Sequence, residues 1–246
     1  MILTSIIIFG ILIGLILGLF GGGGALFTIP VLGYFFHFSL KQSISTSLLL
    51  TMAGSITPLI LYFKNKEVNL WGAFRLGIGG LIGSYTASVF SETIDSNILF
   101  FILISLMVIS AYFMIIDRDI KTHEPHPSSL QVYFIGLFIG ILTGLVGVGG
   151  GFMLIPALIL LCKVETKQAI ATSLAVIFSN SLFGFLAHRS NIDFSNQNIF
   201  FLAICTVFGS VFGFILNHKL NSKILKKTFG FFLIVLIILM LLKPIN

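Results

Sequence analysis

Charge is what this chain has least of. Fourteen basic and eight acidic residues make up 9% of 246 positions, against about 25% in an ordinary soluble domain. So few charges cannot build a surface that faces water. Cysteine is nearly missing too. Cys162 and Cys205 stand in apolar surroundings without paired spacing, so neither a disulfide nor a metal site is expected. Glu67, Glu92, Asp95, Asp117, Asp119, Glu124, Glu165 and Asp193 all lie in polar breaks or at their edges, and no apolar run contains an acid. Proton pumps ordinarily carry carboxylates or histidines inside the membrane. A carboxylate proton relay is therefore disfavoured, and so is a cationic substrate. The patterns Gly-x-x-x-x-Gly-Lys-Ser/Thr, His-Glu-x-x-His and Gly-x-Ser-x-Gly do not occur. The sequence offers no catalytic residue, no metal site and no cofactor motif, and an enzyme is not expected.

What is present is apolar. Hydrophobic residues make up 57% of the chain, and the mean hydropathy is +1.12. Apolar runs of about 18 to 21 residues recur, long enough for helices to cross a bilayer and unlike the alternation of a barrel. The net charge of +6 sits in loops. It speaks of orientation in the lipid bilayer rather than of nucleic acid. Met1 to Leu19 has neither a basic start nor a small-residue cleavage site and is read as a retained span. The expected segments are Ile2 to Phe20, a short piece to Phe36, Ser43 to Phe63, Leu70 to Phe90 and Asn97 to Ile116. A polar stretch at 117–129 follows, with Pro125 and Pro127.

The pattern then restarts. A shift of 126 residues places Gly10, Gly14 and Gly18 on Gly136, Gly140 and Gly144. It places Ile29-Pro30 on Ile155-Pro156, Lys41-Gln42 on Lys167-Gln168, Thr46-Ser47-Leu48 on Thr172-Ser173-Leu174, and Gly83-Ser84 on Gly209-Ser210. Two repeats, 1–116 and 130–246, are joined by the loop 117–129. If each repeat crosses four times, the fourteen Lys and Arg split evenly between the two sides. If it crosses five times, eleven of the fourteen share one side. The excess of basic residues on the cytoplasmic side favours five. An odd count makes the repeats inverted, with both termini outside and the 117–129 loop inside. The expected fold is an all-α integral membrane protein, a polytopic helical bundle of eight to ten spans built from two inverted repeats with glycine-broken helices. It would be a multi-pass protein of the cell membrane. The twelve residues Ala25 to Phe36 make about 18 Å of helix, against about 30 Å of hydrocarbon, so whether they cross fully stays open.

The breaks are the informative feature. Gly21-Gly22-Gly23-Gly24 and Gly147-Val148-Gly149-Gly150-Gly151 interrupt apolar segments. Each glycine costs about 1 kcal/mol of helix stability relative to alanine. Irregular backbone at membrane depth is tolerated only where it is buried in protein or lines a cavity. A helix that resumes after such a break points unpaired N–H groups into it, as an anion site requires. Paired discontinuous helices at the midplane are the layout of secondary transporters. The candidate substrate-binding groups are the backbones of Gly22, Gly23, Gly24, Gly149, Gly150 and Gly151. To these are added the hydroxyls of Thr46, Ser47, Thr172 and Ser173 at the start of the following helix, and the amide of Asn180. The hydroxyls could equally bond their own helices. Pro30 and Pro156 are candidate hinges. The stripes Gly10-Gly14-Gly18 and Gly136-Gly140-Gly144 are read as packing surfaces. Both breaks are expected to face one pocket.

From Gly21 through Pro30, from Gly147 through Pro156, and over Gln42 to Leu48 and Gln168 to Leu174, the chain resembles the sulfite exporter TauE/SafE family, also called the toluene sulfonate uptake permeases. The likeness covers nearly the whole chain. It implies a membrane transporter of sulfite or a related small organosulfur anion, with export favoured. An alternative is a membrane assembly protein that uses its glycine stripes to bind a partner. Neither substrate identity nor oligomeric state follows from the residues.

Overall fold

The computed structural model describes residues 2–21, 23–91, 93–116, 128–146, 151–160, 162, 164–188 and 197–242. These form ten α-helices and no strand: α1 Ile2–Phe20, α2 Gly23–Phe35, α3 Leu40–Lys64, α4 Leu70–Ser91, α5 Ser96–Ile115, α6 Ser129–Val146, α7 Gly151–Leu160, α8 Thr166–His188, α9 Gln197–Lys219 and α10 Ser222–Leu242. Shifted by 126, each of the first five matches one of the second five to within two residues at either end. Six helices are long and apolar enough to cross a membrane, in α1, α3, α5, α8, α9 and α10, while stretches of α2 and α6 are apolar but shorter.

Local chemistry sets the helix starts. Ser39 caps α3 in a capping box: its hydroxyl accepts from Gln42 N–H, and the Gln42 side chain accepts from Ser39 N–H. Ser128 and Gln131 repeat the device at α6. The Asp95 carboxylate caps α5 at Asn97 N–H, and the Asn221 side chain accepts from Lys223 N–H at α10. The starts of α3 and α8 correct one expectation. Because α3 begins at Leu40, Thr46 and Ser47 lie in its second turn rather than at its opening. Lys41-Gln42 and Lys167-Gln168 belong to the first turns of α3 and α8.

Packing follows the glycine stripes. A side chain at Gly14 or Gly18 would overlap the carbonyl oxygens of Thr206 and Ser210 on α9, and one at Gly136, Gly140 or Gly144 those of Leu76, Gly80 and Ser84 on α4. Small residues let two backbones touch where lipid gives no hydrophobic drive between helices. Both contacts ascend together in number, so α1 runs parallel to α9 and α6 parallel to α4. The pair α3 and α8 is antiparallel: Leu48 meets Gly184, and Asn69, just past the end of α3, reaches Thr172 near the start of α8. Helix α2 doubles back along α1, with Gly24 against Leu17 and Phe35 4.3 Å from Phe9 between ring centroids.

Helices α3 and α8 form the centre. Ser43 to Leu48 and Ala169 to Leu174 are all buried. Large apolar side chains such as Phe208, Phe212 and Phe231 stand exposed on the outer helices. In a soluble protein such a belt would be an aggregation surface. Here it fits acyl chains.

Candidate functional site

The first break has a definite geometry. Helix α1 stops because Gly21 turns left-handed, with φ +64°, the usual way a helix ends at glycine. Helix α2 opens at Gly23. Only Gly21 and Gly22 separate the two, and Gly22 lies outside the described residues. Gly24 presses on the backbone of Leu17, so a side chain there has no room. The first turn of α2 has no intrahelical acceptor for its N–H groups, and Thr28 Oγ1 donates back to Gly24 O at 3.0 Å. Opposite Gly21 stand Ser173 Oγ, Ile155 and Ile170, contributed by the second half of the chain. Asn217 of α9 completes the surround: its Nδ2 donates to Leu19 O at 2.6 Å, satisfying a carbonyl in the last turn of α1. Sequence reasoning passed over Asn217. Its signal was the four-residue spacing with Gly213, on the face of α9 that meets α1.

Of the second break, Gly149 and Gly150 lie outside the described residues, and Gly151 opens α7. Pro30 and Pro156 are buried within α2 and α7. Three of the four hydroxyls have partners near home or across the bundle. Ser47 Oγ donates to Ile44 O and Ser173 Oγ to Ile170 O, both at 2.8 Å, while Thr172 Oγ1 accepts the backbone N–H of Asn69 at 3.1 Å. Thr46 is buried. In this conformation the protons of Ser47 and Ser173 are committed to their own helix.

Asn180 differs from all of these. It is 0% exposed, and neither Oδ1 nor Nδ2 has a hydrogen-bond partner. Its backbone oxygen accepts from Ser84 Oγ at 3.1 Å, and its side chain abuts Gly80. An unpaired buried amide costs about 1–3 kcal/mol. Ser181 Oγ, on the same turn, is also unpaired.

The described candidates do not all share one small cavity. With Leu48 level with Gly184, Ser47 and Ser173 stand about 18 Å apart along the α3–α8 pair, twelve residues at 1.5 Å each. Gly24 and Ser173 gather at the first break. Thr46 and Ser47 lie toward the other end of the pair, and Asn180 falls between. A single small oxyanion does not span that distance.

A family model described as Sulfite exporter TauE/SafE matches residues 6–243. The chain belongs to this family. A probable membrane transporter protein of Bacillus subtilis, YunE, is 28% identical over 95% of this chain and 94% of its own length. A probable membrane transporter protein of Xylella fastidiosa strain Temecula1 is 26% identical over 92% and 89%. One from Methanocaldococcus jannaschii is 37% identical over 41% and 40%. No solved structure matches. This TauE/SafE member is thus a multi-pass membrane transporter and not an enzyme.

Proposed function

We propose that the chain exports a small sulfur-containing oxyanion, such as sulfite or an organosulfonate, across the cell membrane. The observation that carries this reading is the first break, where α2 restarts with only Gly21 and Gly22 between it and α1, and Ser173 of the other half stands against Gly21. Backbone N–H groups at such an end favour negative charge without any basic side chain. The two hydroxyl groups of sites, about 18 Å apart along α3 and α8, serve as two half-sites, and Asn180 meets the anion in passage between them. Energetics favour the outward direction. With an interior negative by 100 mV, one negative charge moving out gains about 2.3 kcal/mol.

The parallel pairs α1–α9 and α4–α6 and the antiparallel pair α3–α8 support two inverted repeats at 1–116 and 130–246, linked by 117–129. Lys64, Lys66, Lys167 and Lys219 gather at one end of the bundle, around the contact between Glu67 and His218. That clustering supports a cytoplasmic placement for that end and termini outside.

Purified protein in liposomes under an imposed potential, positive on the receiving side, should move radiolabelled sulfite, sulfonate or thiosulfate. Replacing Gly23 or Gly150 by Val should reduce that flux at least tenfold while the protein still elutes as a folded species. Wild-type flux in both variants would reduce the glycines to packing residues, and an inert wild type would reject these substrates.

A further inference from the structure

The sequence placed no acid within a span, yet the fold brings one to a histidine. Glu67, in the turn between α3 and α4, lies with Oε1 3.0 Å from Nε2 of His218 in the last turn of α9. Both side chains are about two-thirds buried, 29% and 31% exposed. The other imidazole nitrogen, Nδ1, lies 3.1 Å from Phe214 O. Asn65 Nδ2 donates to the same Glu67 oxygen at 3.2 Å, and Lys167 Nζ of α8 lies 3.5 Å from His218 O. The Tyr62 ring of α3 lies tilted against the imidazole, 5.4 Å away between centroids. The charged groups around the imidazole are therefore Glu67, Lys167, and Lys219 beside it on α9, with Lys64 and Lys66 in the neighbouring turn.

Hydrogen-bond accounting decides what this cluster holds. Phe214 O is an acceptor, and so is an ionised carboxylate. Both contacts of the ring are satisfied only when the pair carries one proton beyond neutral imidazole plus carboxylate. Remove that proton to bulk water and a bare acceptor nitrogen faces an acceptor oxygen at 3.0 Å, with the Asn65 amide, 3.5 Å from Nε2, as the one neighbouring donor described there. The pair also bridges the two halves of the chain. It sits one residue from Asn217, whose Nδ2 holds Leu19 O at the break. A shift of 126 puts Asp193 at the place of Glu67 and Glu92 at the place of His218. Two acids cannot repeat the arrangement, so this contact belongs to one end of the bundle only.

We propose that Glu67 and His218 form a proton-binding latch between the halves, whose proton holds the last turn of α9 and, through Asn217, the end of α1 at the first break. Its significance for transport rests on the reading above, but the latch itself is testable without a substrate.

Spin labels on Lys64→Cys and Lys219→Cys, in a Cys162→Ala, Cys205→Ala background, report the gap in detergent between about pH 5 and about pH 9. The wild-type pair should give one short distance at low pH and a second, longer population at high pH, changing with a single proton. Glu67→Gln and His218→Gln should each abolish the pH dependence, and Glu67→His combined with His218→Glu should restore it. A distance independent of pH in the wild-type pair, or unchanged titration in both single variants, would overturn the latch. Sulfite flux measured on the same proteins separates the two readings. A titrating distance without flux supports the latch and counts against sulfite transport, while flux without a titrating distance rejects the latch alone.

Discussion

At the level of single residues, the two halves solve one packing problem in opposite ways. Positions 54 and 180 are equivalent under the internal shift, as are 80 and 206. At one contact between the halves Asn180 fills the space beside Gly80, where an added Cβ would lie 2.8 Å from Asn180 Oδ1. At the equivalent contact Gly54 leaves room for the Thr206 methyl, 2.7 Å from the place of a Cβ. Size has been exchanged across the pair. Gly80→Thr alone should therefore lower the melting temperature in detergent by overpacking, a cost of about 1–3 kcal/mol. Adding Asn180→Gly, which rebuilds the arrangement of the equivalent contact, should recover most of it; no recovery would mean the two sites are not equivalent. Cys162, in the turn between α7 and α8, is buried, and burial pushes its thiol above the usual cysteine range. The thiolate is the reactive form. Labelling of Cys162 by a soluble maleimide should lag behind a free thiol at neutral pH and accelerate only under alkaline conditions. Equal rates at neutral pH would contradict its burial.

At the level of helices, glycine carries two unrelated jobs that the sequence only partly separates. The four-residue spacing of Gly10, Gly14 and Gly18 announced a contact surface, because that period keeps one helix face. The contact partner was not legible, since α9 lies nearly 200 residues away and nothing local names it. Gly21 has a different task, a left-handed turn that ends α1, and contiguity with Gly22 to Gly24 was the clue. The capping boxes were hidden from a reading that placed helix starts by hydrophobicity, because Ser39 and Gln42 are polar and look like loop. The contact glycines predict a graded series. Val at Gly14 or Gly140 should eliminate folded protein, because both sites meet backbone oxygen that cannot move aside. Ala at Gly77, which has nothing within 4 Å of the added carbon, should leave the melting temperature unchanged or raise it, since the helix gains up to about 1 kcal/mol of propensity. Yield and melting by size-exclusion chromatography check the order; equal tolerance at all three sites would refute close packing.

At the level of the whole molecule, orientation is the property with the most consequences. If the end bearing Glu67, Lys167 and His218 faces the cytoplasm, a tag at either terminus should be accessible from outside intact cells. Protection of both tags until the membrane is permeabilised would reverse the orientation. The same end would then carry the latch, so its pH dependence would follow the cytoplasmic pH rather than the external one. Arg75 lies 5.6 Å over the exposed Trp71 ring at the start of α4, an anchor suited to a membrane surface at that end.

By itself the sequence determined that this protein lives in a bilayer, that it is helical, that one unit occurs twice, and that each copy is interrupted by glycines. These follow from composition and periodicity, which are local and survive without coordinates. Only the tertiary structure decided which helices touch, that Ser173 of one half stands at the break of the other, that Ser47 lies well away from it, and that Glu67 meets His218. The reason is physical. Contacts across the bundle depend on helix direction and register, and an apolar side chain facing lipid looks the same in sequence as one facing a neighbour.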